Sequence, residues 1–192
     1  MSDRTPAGSA RAQAGPAASV GSARGTRARP AWARPEIWLT ALLVVADQLT
    51  KLLVLQRIPL HATVTVIPGV LNLTYVRNTG AAFGMLNASD FAYKPLIVAG
   101  LALVALIGIL WYAQKFAGDA WPARYGFVLI VAGAVGNLID RVTLGYVIDF
   151  VDVYAGAWHF WAFNVADAAI TIGAVLFAAD TLFSRRHVPE AA

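Results

Sequence analysis

The sequence contains no cysteine, and only 14% of its 192 residues are charged, against 58% hydrophobic. The first absence removes disulfide scaffolds, thiolate metal sites and cysteine nucleophiles. The second argues against a water-soluble domain, in which about a quarter of the residues are usually charged. Serine occurs only at Ser2, Ser9, Ser19, Ser22, Ser89 and Ser184, outside every long apolar run, so a serine nucleophile at membrane depth is excluded as well. The three histidines, His61, His159 and His187, are scattered and form no H-E-x-x-H zinc motif. A glycine-rich phosphate loop is also missing. The formal charge of +4 and the pI near 9.7 do not point to nucleic acid, because six of the 15 Lys and Arg fall in residues 1–36, beside a hydrophobic segment. That placement is the mark of membrane topology.

What the sequence has in abundance is long apolar runs. Four of them, about 37–55, 96–112, 122–142 and 162–183, are each near the length needed to cross a bilayer. Residues 1–36 are rich in Ala, Gly, Ser, Pro and Arg without an apolar period, and are expected to be a disordered cytoplasmic tail. Residues 185–192 form a second cytoplasmic tail, which leaves 37–184 as the four-span domain. Orientation follows from the cations: ten lie in the two tails and the 115–124 loop, against Arg57, Arg77 and Lys94 on the other side. Both termini are therefore expected in the cytoplasm.

Between the first two spans, His61–Ile67 alternates, Pro68-Gly69 reads as a turn, and Val70–Val76 alternates again. This predicts a small β-subdomain at about 58–80. Residues 81–93 mix alanine and aromatics and read as a short helix lying on the membrane, able to cover a site below it. The expected fold is thus an all-α polytopic membrane protein of four transmembrane helices, with a small outer (periplasmic) β-subdomain and a short interfacial helix.

Polar groups are costly at membrane depth and mark function there. The candidates are Asp47 and Lys51 in the first span, Asn137, Asp140 and Arg141 in the third, and Asn164 and Asp167 in the fourth, with Asp149 just beyond the third. With both ends cytoplasmic, nearly all of them converge within about two helical turns of the outer interface. Carboxylates are what remains for chemistry. Two aspartates sharing a proton activate water: the ionised one accepts its proton and the protonated one polarises a carbonyl. Asp47 has Lys51 one turn on, and Asp140 is followed by Arg141, whereas Asp149 and Asp167 have only apolar neighbours in sequence. Asp149 with Asp167 is the favoured pair, and Asp140 is the competitor.

Plainer readings stand beside these. Asp47 and Lys51 would neutralise each other, Asp140 and Arg141 would form a structural pair, and Asn137 and Asn164 would be interhelical hydrogen bonds. Asp152 and Asp180 would be solvated or interfacial, with His159 interfacial too. Trp111, Trp121, Trp158 and Trp161 fit an aromatic belt. On residues alone, an aspartyl protease and a small proton-coupled transporter are equally open.

Five blocks then occur in order: Asp47-Gln-Leu-Thr-Lys51, Asn78-Thr-Gly-Ala-Ala-Phe-Gly84, Gly136-Asn-Leu-Ile-Asp-Arg141, Val147-Ile-Asp-Phe150 and Phe163-Asn-Val-Ala-Asp167. Together they resemble the lipoprotein signal peptidases (signal peptidase II) over about Trp38 to Phe183. The resemblance implies a bacterial inner-membrane aspartyl protease. Such an enzyme cuts prolipoproteins just before a diacylglyceryl-modified cysteine, needs no cofactor or metal, and is blocked by globomycin-type peptides. It implies Asp149 and Asp167 as the catalytic pair. It implies Asn78, Asn137, Asp140, Arg141 and Asn164 as substrate-binding or supporting groups, and Asp47, Lys51 and Gly80 as structural support. Prolipoprotein substrates and membrane lipid are the implied partners.

Overall fold

The computed structural model describes residues 34–80, 93–116 and 121–184. Four helices, α1 (Pro35–Arg57), α2 (Lys94–Phe116), α3 (Trp121–Thr143) and α4 (Val165–Ser184), are long and apolar enough to cross a membrane. Four strands, β1 (Thr63–Ile67), β2 (Leu71–Asn78), β3 (Val147–Ala155) and β4 (Trp158–His159), form one antiparallel sheet in sequence order. The tails and the 81–92 segment, including most of the expected interfacial helix, lie outside the described residues.

Local chemistry sets the helix ends. Pro35 opens α1, where its missing N–H is no loss, with Glu36 in the first turn. Ile58, extended ahead of Pro59, closes it. The last turn of α3 is capped by Gly145 at φ 81°, whose N–H bonds to the Arg141 carbonyl at 3.2 Å. At the start of α4, the Asp167 N–H donates to Asn164 Oδ1 at 2.9 Å and the Asn164 N–H donates to Asp167 Oδ2 at 3.3 Å. That is a reciprocal capping box built from Asn and Asp. It is why the helix begins at Val165, later than the apolar run beginning at 162.

The bundle is apolar outside and polar within. Leu42, Leu49, Leu52, Leu101, Val104, Ile172 and Val175 are exposed, whereas Asp47, Lys51, Asn137, Asp140 and Asn164 are buried. Such an inversion suits lipid, not water, as the surrounding medium. Helices α3 and α4 touch through glycine. A Cβ built on Gly133 would fall 2.3 Å from the Ala166 carbonyl oxygen, and one on Gly173 would fall 2.5 Å from that of Gly126. Small residues permit this backbone approach where no hydrophobic force drives helices together.

The sheet covers one end of the bundle. The β1–β2 turn runs through Gly69 at φ 81°, as the Pro-Gly pair predicts. The sheet is larger than that hairpin, because β3 pairs with β2, setting Asn72 opposite Asp152 and Val76 opposite Asp149. Tyr75, Ile148 and Phe150 of the sheet pack on Val54 and Ile58 at the end of α1. This core fixes β3, and with it Asp149, against the helices.

Candidate active site

Lys51 is the hub of a buried ion cluster. Its Nζ lies 2.8 Å from Asp47 Oδ2 and 2.9 Å from Asp140 Oδ2, and donates to Asn137 Oδ1 at 3.0 Å. Asp47 also accepts the Ala166 N–H at 2.9 Å, and Asp140 accepts the Ile148 N–H at 3.1 Å. One ammonium and two carboxylates thus tie α1 and α3 to the first turn of α4 and to β3. Desolvation makes such a cluster expensive, and removing one member would leave an uncompensated buried charge, a loss of about 3–5 kcal/mol.

Asp47 and Lys51 meet as expected, and the pair is shared with Asp140. One sequence expectation is corrected. Asp140 and Arg141 are not partners, since neighbouring helix positions diverge around the axis. Arg141 instead reaches the carbonyls of Gly80 and Asn137, each at 3.4 Å. With Lys51, the Ile148 N–H and the Gln48 amide at 2.9 Å all engaging its carboxylate, Asp140 is occupied by the framework.

Asp149 and Asp167 occupy a second layer, held by asparagines. Asp149 accepts from Asn164 Nδ2 at 2.7 Å and from Asn78 Nδ2 at 3.0 Å. Asp167 accepts from Asn137 Nδ2 at 2.7 Å and from the Asn164 N–H. Asn164, fully buried, therefore bonds to both carboxylates and also donates to Asn137 Oδ1 and the Ile148 carbonyl, each at 3.2 Å. Asn78 is itself set by a turn in which the Gly80 N–H donates to its Oδ1 at 3.0 Å. Burial, followed by the negative charge of Asp167, pushes the Asp149 carboxyl up to about 7, against the opposing pull of Asn78, Asn164 and Lys51.

The family model of signal peptidase (SPase) II matches residues 39–183. The chain belongs to the signal peptidase II family. It is 45% identical to the lipoprotein signal peptidase of Geobacter metallireducens, covering 78% of this chain and 91% of that one. With the lipoprotein signal peptidase of Pseudomonas aeruginosa the identity is 38%, over 79% of this chain and 90% of the relative. A solved structure described as a bacterial membrane enzyme superposes with a TM-score of 0.72 at 32% identity, covering 82% of this chain and 93% of its own. A second of the same description gives 0.68 at 30% identity, with coverage of 78% and 93%.

As a signal peptidase II the chain is a multi-pass membrane protease, and the transporter reading finds no support. Among the described residues, no group of three or more His, Asp or Glu side chains is arranged to hold a metal. The structure brings Asn78, Asn137, Arg141, Asp149, Asn164 and Asp167 into one cluster, with Asp47, Lys51 and Asp140 behind it. Sequence reasoning missed Gln48, whose amide bridges Asp47, Asp140 and the Gly136 carbonyl. Its signal was a polar residue beside Asp47 within an apolar run. Asp152 is a further correction. Expected to be solvated or interfacial, it is buried, because Asn72 and His159 on the strands to either side hydrogen-bond to it.

Proposed function

We propose that the chain is an aspartic endopeptidase that removes signal peptides from diacylglyceryl-modified prolipoproteins, cutting on the N-terminal side of the lipidated cysteine. The observation that carries the reading is the shared grip of Asn164 on Asp149 and Asp167. It brings two carboxylates to one point, and among the described residues neither forms an ion pair with a cation. Asp149, raised to about 7, is suited to hold the dyad's proton. Asp167, accepting the Asn137 amide in the first turn of α4, is suited to be the ionised partner.

On this reading a water between them gives its proton to Asp167 while its oxygen attacks the scissile carbonyl, polarised by the Asp149 hydroxyl. The tetrahedral intermediate collapses as Asp167 passes the proton it took from water to the amine of the cysteine and the C–N bond breaks. Arg141, close to both carboxylates, is placed to orient substrate carbonyls. The excess of cations in the tails and the 115–124 loop supports cytoplasmic termini in the bacterial inner membrane, and so a dyad near the outer face. A substrate anchored by its lipid presents its scissile bond at that level. A globomycin-type peptide would compete for the same carboxylates.

The test is cleavage of a diacylglyceryl-modified prolipoprotein by purified wild type, Asp149→Asn, Asp167→Asn and Asp140→Asn, each first shown to be folded. The two dyad variants are expected to lose at least about a thousandfold in kcat, with Asp140→Asn keeping a fraction. An active Asp149→Asn beside a folded, dead Asp140→Asn would move the dyad. Folded wild type that cuts nothing would overturn the reading.

A further inference from the structure

Asp152 is a buried carboxylate, only 7% exposed, that the cleavage chemistry does not use. It accepts from Asn72 Nδ2 at 3.1 Å and contacts His159 Nδ1 at 2.8 and 3.1 Å. The His159 ring lies flat on Tyr154, with centroids 5.2 Å apart and planes 11° apart, and the Tyr154 hydroxyl accepts the Gly69 N–H at 2.7 Å. Asn72 gives its amide to Asp152 although its own buried Oδ1 has no partner among the described residues. These contacts all meet where β4 joins the sheet.

Strand β4 has two residues, both exposed, and pairs with β3 only at Tyr154–His159 and Ala155–Trp158. So short an edge is marginal by backbone pairing alone. Yet the segment it begins leads to the dyad. The Phe160 N–H bonds to the Val153 carbonyl, and Phe163 returns to β3, accepting the N–H groups of Phe150 and Val151 and donating to the Val151 carbonyl. The next residue is Asn164. The strap 156–163 therefore runs back along β3 from the His159 contact to the residue that grips both Asp149 and Asp167.

We propose that His159, held by Asp152, is a positioning residue whose contact clasps the strap to β3 and sets where Asn164 meets the two carboxylates. The inference rests on the reading of Asp149 and Asp167 as the dyad. Because the strap aligns reacting groups and not the lipid anchor, its loosening lowers kcat and leaves KM in place. Small misplacements of this kind are costly to rate.

The test uses the full chain and a diacylglyceryl-modified prolipoprotein. His159→Ala is expected to lower kcat about tenfold with KM within about twofold, and His159→Gln, whose amide donates to Asp152, to recover most of the loss. Since the chain has no cysteine, Tyr154→Cys/His159→Cys places a single staple across a paired position. Oxidised, that variant is expected to cut within about threefold of wild type, and reduced, to fall to the His159→Ala level. His159→Ala with wild-type kcat, Gln no better than Ala, or a staple whose oxidation changes nothing would each overturn the clasp. If the double variant does not fold, the Gln-against-Ala comparison decides alone. Asp149→Asn and Asp167→Asn are assayed alongside. If either cuts normally, the dyad reading fails whatever the strap variants do; if both are dead and the strap variants match wild type, only the clasp fails.

Discussion

Asp149 lies on a strand outside the spanning helices, buried beside a second carboxylate, and this position has consequences for both rate and stability. If the protonated Asp149 polarises the scissile carbonyl, kcat/KM falls as pH rises through about 7, where that proton is lost. The Asn78 amide donates to the carboxylate and favours the charged form. Asn78→Leu should therefore move the alkaline limb to higher pH, besides lowering the maximum. A limb that stays in place would remove Asp149 from the role of acid. Stability carries the same sign. A carboxyl raised from 3.8 to about 7 on folding keeps its full contribution below the ordinary value and loses it as pH rises through the folded one. Asp149→Asn, neutral throughout, should thus be inactive yet more resistant to heat than wild type at pH 8, by on the order of 5 °C, with the two converging near pH 4. Thermal unfolding of both proteins in the same detergent at the two pH values checks this. Equal midpoints at pH 8 would show that the charged carboxylate is better accommodated than its burial implies.

At the scale of elements, the seam between α3 and α4 carries Asn137 and Asp167 on its two sides, so packing there is coupled to the proposed chemistry. Gly133→Ala drives a Cβ to within 2.3 Å of the Ala166 carbonyl oxygen, a backbone atom that can move only with its helix. The expected result is destabilisation of about 1–3 kcal/mol, together with loss of activity as the Asn137–Asp167 contact lengthens. Gly100→Ala and Gly108→Ala, which meet nothing within 4 Å on α2, should match wild type in both respects. Thermal unfolding and cleavage assays of the three variants compare seam with open face. Equal behaviour would show that α3 and α4 separate without cost. What the sequence made legible divides along the same line. The spans and the 63–78 hairpin were readable because length and alternation are local signals. Strand β3 was not, because Val147–Ala155 is a nearly continuous apolar run whose partner, β2, lies some 75 residues back, and periodicity cannot reveal such a pairing. Asp152 was misplaced for that reason: only the pairing of β3 with β2 and β4 brings Asn72 and His159 to it.

For the molecule as a whole, the polar residues converge at one end because the ion cluster around Lys51 holds α1, α3, α4 and β3 at a common level. That level was legible in the sequence, since Lys51, Asp140 and Asp167 sit near the corresponding ends of their spans. The sharing of Lys51 between Asp47 and Asp140 was not, because it depends on how α1 and α3 are rotated against each other. Which side of the membrane receives this end is proposed from the cations, and labelling decides it. The opposite end of the bundle is identified by Glu36 and Arg124, 2.9 Å apart at the starts of α1 and α3. In a chain without cysteine, His61→Cys marks the sheet end and Trp121→Cys the Arg124 end, both positions being exposed. A membrane-impermeant maleimide applied to cells with a permeable outer membrane should modify the cysteine at 61 at once. The cysteine at 121 should react only after the inner membrane is opened. The reverse pattern would place the carboxylates on the cytoplasmic side, where a translocated, lipid-anchored substrate cannot reach them, and would break the link between the dyad and the proposed cleavage.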